Sequence, residues 1–382
     1  MLDRLVLRTG LPRTVVVLSV VSLLNDSASE MITPLLPVFL TATLGAGPAI
    51  VGLVEGVAET ASGLLKLLSG WLADRGWNAK RLVVGGYTVS NCTRPLVAFA
   101  LGWTFVLAMR FLDRVGKGLR TAPRDALIAA AVPESQRGRA FGFHRGMDHA
   151  GAMLGPLFAF VLLGLGADLA QVFLASMIPG AAVLLLLVLG LEHRAPALAP
   201  ARPPAFRWAA LDARLRGLIV ASGGLALASV PEAFLIVWAT LRGVDALWVP
   251  LLWSAAHVVK TAVAIPAGAL SDRVGRLPVV LAGWALRVLT LAAIALAGDG
   301  PGLAWPLFFA YAAALAATEG AESALIGDCA PAELKGTAFG VYHLVRSLVA
   351  LPGAFLFGVV WEAVSMTAAF LAAAVLTAAS AV

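Results

Sequence analysis

The sequence predicts an all-α polytopic membrane protein with about twelve transmembrane helices in two pseudo-symmetric six-helix bundles. Three observations predict this: the composition, the spacing of the apolar runs and an internal repeat. Of the 382 residues, 60 % are hydrophobic and 13 % are charged, whereas soluble chains average about 45–50 % apolar and about 25 % charged residues. This composition excludes a disordered protein, a nucleic-acid-binding module and almost any soluble enzyme.

The apolar runs are the candidate membrane spans, because each helical span needs roughly 20 residues. Their approximate extents are 14–40, 48–73, 81–102, 103–131, 138–165, 169–191, 216–241, 247–271, 277–298, 303–329, 336–361 and 363–382. The segments between runs alternate between Arg- and Lys-rich and nearly uncharged. Since basic residues concentrate in cytoplasmic loops, both termini are expected in the cytoplasm. The first run is interpreted as a retained span rather than a signal peptide.

An internal repeat divides the chain into two halves. The Pro- and Ala-rich segment 192–215 separates 1–191 from 216–382, and we predict a cytoplasmic linker between two bundles. One offset relates Gly70, Asp74 and Arg75 to Gly268, Asp272 and Arg273, and it also relates 126–142 to 324–340. A parallel repeat of this kind builds a central site between its halves.

The repeated loop pattern is G-x-x-x-D-R-x-G. It is complete after predicted helix 8, where it ends at Gly275, but Trp77 replaces the last glycine after predicted helix 2. An aspartate at a helix end can pair with a neighbouring helix terminus or an arginine and latch one conformation. The candidate gating residues are Gly70, Asp74, Arg75, Gly268, Asp272, Arg273, Arg120, Arg124 and Asp125.

With this doubled motif the chain resembles the major facilitator superfamily over essentially its whole length. The resemblance implies the major facilitator fold, with helices 1, 4, 7 and 10 lining a central cavity. It extends to an antiporter motif on predicted helix 5, Gly151, Gly155 and Pro156, which in that family is associated with exporters. Glycines one turn apart let two helices approach closely.

Predicted helices 1 and 4 carry complementary polar faces. The face of helix 4 covers about 140° of arc at 100° per residue and contains Arg110, Asp113, Arg114, Lys117, Arg120, Arg124 and Asp125. Charges inside a bilayer are costly, so this face is expected to look onto water or a charged partner. Helix 1 supplies Asn25, Asp26 and Glu30. Opposite Arg110 or Arg114, these acids would form either a structural ion network or a protonation site.

Other ionisable residues lie in predicted spans. The proton-coupling candidates are Asp26, Glu30, Glu55, Glu59, Asp113, Glu232, Glu319 and Glu322. The candidates for the cavity or substrate site are Asn25, Arg110, Arg114, Lys117, His144, Asp148, His149, His257, Lys260 and Arg287. We hypothesise that Lys117 and Lys260 are kept because a compact, titratable cation is needed there.

A metal site is an open question at this level. His144 and Asp148 are one turn apart, a spacing that suits two ligands of one metal, and it equally suits a pH-sensitive group near a gate. The candidate ligands are Asp26, Glu30, His144, Asp148 and His149. The stretch from Asp113 to Asp125 also resembles a bacterial subgroup of efflux carriers, some of them linked to metal resistance.

These patterns predict a secondary active transporter that works by alternating access and exports a small solute or drug in exchange for protons. No phosphate-binding loop and no nucleophile–base pair is present in the sequence, so neither ATP drive nor an enzyme is expected. No cofactor is expected, and a proton gradient would drive transport. The alternatives are a divalent transition-metal exporter, an organic-anion carrier and a membrane receptor that does not transport. We expect a monomer in the lipid bilayer of a bacterial inner membrane, without a nucleic-acid partner.

Overall fold

The computed structural model describes residues 6–7, 9–74, 77–133, 137–190, 212–329 and 335–381. Every regular element in these ranges is helical, so the predicted all-α class is confirmed. Nine of the described helices are long and apolar enough to cross a membrane. The predicted spans 81–102, 103–131 and 363–382 correspond to described helices outside that set, which are shorter or carry more charge. The predicted count of about twelve is consistent with this arrangement.

By its internal contacts the chain divides into two compact units, and the first contains Met1–Leu35 and Ala61–Pro203. Within it, α1 packs along α5 and α6, and α3 packs along α4. Its helices are α1 (Arg13–Ile32), part of α2 (Pro48–Asp74), α3 (Ala79–Thr93), α4 (Trp103–Ala130), α5 (Arg137–Gly164) and α6 (Leu169–Ala175 and Met177–Gly190). A 3₁₀ helix, Arg94–Phe99, continues α3.

The second unit contains Leu36–Thr60 and Pro204–Val382, so α2 contributes to both units. Its further helices are α7 (Ala213–Leu227 and Glu232–Leu241), α8 (Val249–Val274), α9 (Arg276–Leu296), α10 (Ala304–Cys329), α11 (Lys335–Ala363) and α12 (Met366–Ala379). The sequence-based boundaries 1–191, 192–215 and 216–382 stay a prediction, and 191–211 lies outside the described residues.

Three predicted helices are interrupted, and proline explains the breaks. The run 14–40 ends as regular α-helix at Ile32, and a short helix (Leu36–Val38) and a π-helix (Phe39–Thr43) follow Pro34. The run 216–241 breaks at 228–231, where Pro231 precedes the second segment of α7. The run 169–191 breaks at Ser176, and Pro179 lies in the first turn of the segment that follows. A proline has no N–H for the helix ladder and is accommodated best in the first turn of a helix.

The two loop motifs end differently. Gly275 joins α8 to α9 with φ +98° and ψ 155°, a conformation essentially confined to glycine. In the first unit Asn78 caps α3 instead, its side chain accepting from the Arg81 N–H over 3.2 Å. Arg75 lies outside the described residues, as do the side chains of Asp74 and Asp272. Within the described residues Gly70 lies in α2, Gly268 lies in α8, and Arg273 is exposed at the end of α8.

Candidate functional site

A buried ion pair joins the end of α3 to the middle of α4. Arg94 Nε donates to Asp113 Oδ1 over 2.7 Å, and the two residues are 5 % and 2 % exposed. One turn earlier on α4, Arg110 Nη1 lies 3.9 Å from the other carboxylate oxygen of Asp113. Buried charges are stable only when they are compensated in this way. Asp113, a predicted proton-coupling residue, is therefore engaged by arginine on both sides.

Two asparagines connect this pair to α1. Arg94 Nη1 donates to the Asn25 side-chain oxygen over 3.0 Å and to the Asn25 backbone oxygen over 3.2 Å. Asn91 Nδ2 donates to the Asn25 side chain over 3.3 Å. All of these groups are buried. A polar network thus joins α1, α3 and α4 inside the first unit.

Arg94 and Asn91 are not among the residues that the sequence predicts for the site. A signal was available, because Ser90, Asn91 and Arg94 are polar residues inside the otherwise apolar run 81–102, and polar groups within a span face a protein interior or water. The sequence does not tell which helix they face, and that information is needed to assign them to Asp113.

The basic residues near the end of α4 are also buried. Arg120 Nη1 donates to Ser90 Oγ over 2.6 Å, and Arg124 Nη1 donates to Ser22 Oγ over 3.2 Å. Arg124 also donates twice to Asp125 Oδ1, at 3.0 and 3.1 Å. The two arginines are 3 % and 6 % exposed. They hold α4 against α3 and α1 within the unit and are not a solvated helix end.

Asp26 and Glu30 lie at the contact between α1 and α5. A β-carbon added to Gly151 would lie 3.0 Å from the Asp26 β-carbon, and one added to Gly155 would lie 3.0 Å from the Glu30 β-carbon. Both acids are half-buried. The added carbons would also collide with backbone carbonyls of α1, at Leu23 and Ser27. The two glycines of the antiporter motif, followed by the buried Pro156 within α5, therefore permit this close approach.

The charges around Asp26 differ from the expected ones. The sequence predicts Arg110 or Arg114 opposite the acids of helix 1. The charges that act on Asp26 come instead from Asp148 on α5 and from Lys117 and Arg120 on α4. Lys117 is half-buried. Arg114, also half-buried, acts on Asp113.

His144 is fully buried beside Asp148. Its Nε2 lies 3.6 Å from Asp148 Oδ1, and within the described part of the chain neither ring nitrogen has a hydrogen-bond partner. Asp148 Oδ2 lies 3.5 Å from Arg145, and His149 is exposed. Among the described residues no group of three or more His, Cys, Asp or Glu side chains is placed to hold a metal. The pair therefore offers at most two metal ligands.

In the second unit, the break in α7 is stabilised by its neighbours. Arg287 of α9, 4 % exposed, donates from Nη2 to the Ala228 carbonyl over 3.1 Å. The Tyr311 hydroxyl of α10 donates to the Val230 carbonyl over 2.8 Å. Carbonyls freed by a helix break in a membrane must find partners within the protein. Arg287 and Tyr311 supply them, and Glu232 follows directly in the first turn of the next segment.

Glu232 pairs with Lys260 of α8. The Lys260 Nζ lies 2.7 Å from one carboxylate oxygen of Glu232 and 2.8 Å from the other. It also lies 5.7 Å from the centre of the Trp253 ring. The His257 ring lies with its centre 5.4 Å from that of Trp253, in an edge-to-face arrangement. Two predicted site residues, Lys260 and His257, thus lie beside a tryptophan that the prediction did not include, and Glu232 joins them through Lys260.

Glu322 is the centre of a second buried cluster. The Trp284 indole N–H donates to Glu322 Oε1 over 2.8 Å. The other carboxylate oxygen accepts from Arg346 over 2.8 Å and from the Tyr342 hydroxyl over 3.3 Å. Glu322 is 5 % exposed, whereas Glu319, one turn earlier, is exposed. These two predicted proton-coupling candidates, three residues apart on α10, therefore have different environments.

The remaining predicted carboxylates lie on the first part of α2. Glu55 is half-buried and Glu59 is exposed. Directly after Glu59, Thr60 Oγ1 donates to the Ser347 carbonyl of α11 over 2.6 Å. A β-carbon at Gly56 would lie 2.7 Å from the Leu351 Cα. This part of α2 thus packs closely against α11 within the second unit.

Comparison with known proteins identifies the family. The family model described as Major Facilitator Superfamily matches residues 18–354 and 258–382. The chain belongs to the major facilitator superfamily. Members of this superfamily are transporters, so the chain is a multi-pass membrane transporter. A curated relative, an uncharacterized MFS-type transporter of Methanocaldococcus jannaschii, is 31 % identical over 361 residues, which cover 92 % of this chain and 89 % of that protein.

Two further comparisons give a partial sequence match and a solved structure that is similar to this major facilitator chain. It is 25 % identical over 222 residues to the multidrug resistance protein MdtH of Aeromonas hydrophila, a match that covers 58 % of this chain and 51 % of that protein. A solved bacterial homologue of the human lysosomal transporter Spinster superposes with a TM-score of 0.79 at 16 % identity, covering 96 % of this chain and 95 % of that one. The structural likeness shows the fold.

Proposed function

We propose that this transporter exports a small solute or drug in exchange for protons, as a monomer in a bacterial inner membrane with both termini in the cytoplasm. One observation carries the proposal: Asp26 and Glu30 lie half-buried on α1, directly opposite the two glycines of α5. The partial sequence similarity to the multidrug resistance protein MdtH supports export. The proton gradient alone would drive the cycle.

Asp26 has the surroundings that a coupling carboxylate needs. A charged carboxylate inside a membrane protein is costly unless it is paired. Asp148 repels the ionised form of Asp26, whereas Lys117 and Arg120 attract it. A small change in the distance to any of these groups therefore shifts the balance between the protonated and ionised forms. Because Asp26 lies at the α1–α5 contact, a movement of these helices would change its protonation.

The alternatives receive less support. The metal exporter needs a ligand set that the described residues do not assemble. The organic-anion carrier needs available cations, and Arg94, Arg120 and Arg124 are already bound to polar groups within the first unit.

The experiment is a proton-gradient assay in inside-out vesicles from cells that express the chain. Respiration acidifies the lumen, and acridine orange fluorescence reports the gradient. Ethidium, chloramphenicol, fluorescein and cobalt are added separately, as an organic cation, an uncharged drug, an organic anion and a metal. We expect ethidium or chloramphenicol to collapse the gradient in wild-type vesicles, because each entering molecule would exchange for protons.

The variants test the role of the carboxylate. Asp26→Asn should abolish the response, whereas Asp299→Asn should retain it, because Asp299 is a fully exposed carboxylate on the surface. Equal vesicle content of the variants is checked by immunoblot. A response only to fluorescein or cobalt would replace the proposed substrate class with one of the alternatives. An undiminished response in Asp26→Asn would exclude Asp26 as the coupling group.

A further inference from the structure

We infer that Glu232 and Trp253 form a binding site for an organic cation, and that the Lys260 ammonium occupies this site until the cation displaces it. The inference rests on the proposed function, because it names the substrate class of the exporter and one proton that the substrate displaces. It goes beyond the helix 1 carboxylates, since the site lies entirely within the second unit.

The site is built on the break in α7. The Ala228 and Val230 carbonyls, freed by the break, accept from Arg287 and from the Tyr311 hydroxyl, so the broken helix is held in place by α9 and α10. Glu232 lies in the first turn of the segment that follows. The N-terminus of a helix favours a negative charge. Interrupted helices near the middle of a transporter are the usual location of substrate sites.

Lys260 already shows how a cation is held there. Its ammonium lies within 2.8 Å of both Glu232 oxygens and 5.7 Å from the centre of the Trp253 ring. A carboxylate and an aromatic face both attract a cation, and a tryptophan ring does so most strongly. The side chains of Glu232 and Lys260 are 19 % and 23 % exposed. The two side chains are therefore partly exposed, although Glu232 Oε1 itself is buried.

The same groups disfavour an anion. An anion bound at Lys260 would lie beside the negative face of Trp253 and beside the Glu232 carboxylate. A cation that replaces the lysine ammonium would find both groups already in position. An aromatic cation would in addition stack on Trp253, whose ring meets that of His257 edge to face.

Other charged and titratable groups surround the pair. Glu232 comes from α7, His257 from α8, Arg287 from α9 and Tyr311 from α10, and both Arg287 and Glu232 act electrostatically on Tyr311. The Arg287 guanidinium is held by the Ala228 carbonyl and lies 5.9 Å from the Tyr311 ring centre. Arg287 therefore keeps its charge when the cation binds. Lys260 and the substrate would compete for the Glu232 carboxylate.

This charge balance leads to proton release. When an organic cation takes the Glu232 carboxylate, the Lys260 ammonium loses its partner and gains a like charge as its neighbour. The N–H bond of the ammonium then breaks, the electron pair stays on Nζ, and the proton passes to water. One positive charge enters and one leaves, so the charge of the site is unchanged. A lysine can make this exchange, whereas an arginine stays protonated in proteins.

The test measures cation binding and proton release by the full chain, purified in detergent. Ethidium and tetraphenylphosphonium are the probes, ethidium fluorescence and calorimetry give the Kd, and a pH indicator in weakly buffered solution counts protons. For the wild type we expect about one proton released per cation bound and a Kd that falls about tenfold per unit rise in pH, as linkage requires for a one-for-one exchange.

Three variants at the site test the release of the lysine proton, the competition between the lysine and the substrate, and the role of the Glu232 carboxylate. Lys260→Arg keeps a cation on Glu232 that cannot lose its proton, so we expect binding at least tenfold weaker and no proton release. Lys260→Met removes the competing cation, so we expect tighter binding than in the wild type at a pH where Glu232 is ionised. Glu232→Gln should weaken binding at least tenfold. Lys80→Arg, in the first turn of α3 in the other unit, is the matched control and should behave as the wild type.

Several results would overturn the inference. One is wild-type binding without proton release. Another is proton release that persists in Lys260→Arg, because the proton would then come from another group. Failure of both cations to bind would also overturn it, yet a chloramphenicol response in the vesicle assay would leave the proposed function standing. Conversely, Lys260-dependent proton release without any vesicle response would support the site and contradict proton-coupled export.

Discussion

Gly155 of α5 lies directly against Glu30 of α1, so that a β-carbon on the glycine would lie 3.0 Å from the Glu30 β-carbon. One turn away, Gly151 has the same relationship to Asp26. Two features that are separate in the sequence, a glycine motif and a pair of carboxylates, are thus the two sides of one helix contact. The second unit repeats the contact: Gly353, at the position of α11 equivalent to Gly155, lies against the Leu227 carbonyl of α7.

Gly155→Ala should force α5 away from α1. The added methyl group would collide with the Ser27 carbonyl and approach Glu30, and overpacking of this kind costs about 1–3 kcal/mol. Thermal unfolding in detergent should show a lower Tm, and the vesicle response should fall. Gly146→Ala on the same helix is the control, because nothing lies within 4 Å of its added β-carbon. Equal Tm values for the two variants would contradict the close contact.

The buried pair of Arg94 and Asp113 should be strongly coupled. Removing one partner of a buried pair typically costs about 3–5 kcal/mol, because the other charge is left uncompensated. Arg94→Met and Asp113→Leu should therefore each destabilise the chain, and the double variant should be much more stable than the sum of the two effects predicts. A double-mutant cycle on unfolding in detergent measures this coupling free energy.

Arg145→Met provides the comparison, since that arginine is 61 % exposed and surface pairs contribute about 0–1 kcal/mol. Additive effects would mean that the pair is not coupled.

The sequence predicted the fold because hydropathy, charge alternation and the repeat are properties of whole segments. It predicted Asp113 and Asn25 as site residues because polar groups inside spans are rare. It did not predict Arg94 as their partner, because the 3₁₀ segment after α3 decides the direction of that side chain. The spacing of Glu319 and Glu322 puts them on the same side of α10, but only the packing of α9 and α11 separates the buried residue from the exposed one.

The break in α7 is a second feature whose contacts the sequence does not predict. Pro231 was visible as a helix-breaking signal in the run 216–241. The partners of the freed carbonyls, Arg287 and Tyr311, come from helices more than fifty residues away. A single sequence carries no information on such long-range pairings. Arg287 was therefore predicted as a cavity residue, and its contact with the Ala228 carbonyl is a finding of the structure.

Glu322→Gln should destabilise the second unit, whereas Glu319→Gln should have little effect. Trp284, Tyr342 and Arg346 all donate to the Glu322 carboxylate. A glutamine would turn one oxygen into a donor that faces another donor, and an unsatisfied buried polar group costs about 1–3 kcal/mol. We expect a lower Tm for Glu322→Gln, with vesicle transport retained per folded molecule at low temperature. If transport is lost while the Tm is unchanged, Glu322 carries the proton and is not a structural residue.

Gly275→Ala should test the loop motif at the one position where its backbone requires glycine. The residue has φ +98° and ψ 155°, and a side chain held in this region costs about 1–3 kcal/mol. Gly268→Ala, earlier in the same motif, should be neutral or stabilising, because it lies in α8 with nothing within 4 Å of the added β-carbon and alanine favours a helix over glycine by about 1 kcal/mol. Thermal unfolding of the two variants gives the comparison.

Trp77, at the equivalent position of the first half, has no positive φ, so Trp77→Gly should bring no gain in stability. A stable Gly275→Ala would show that the second glycine serves contact with another group rather than backbone geometry.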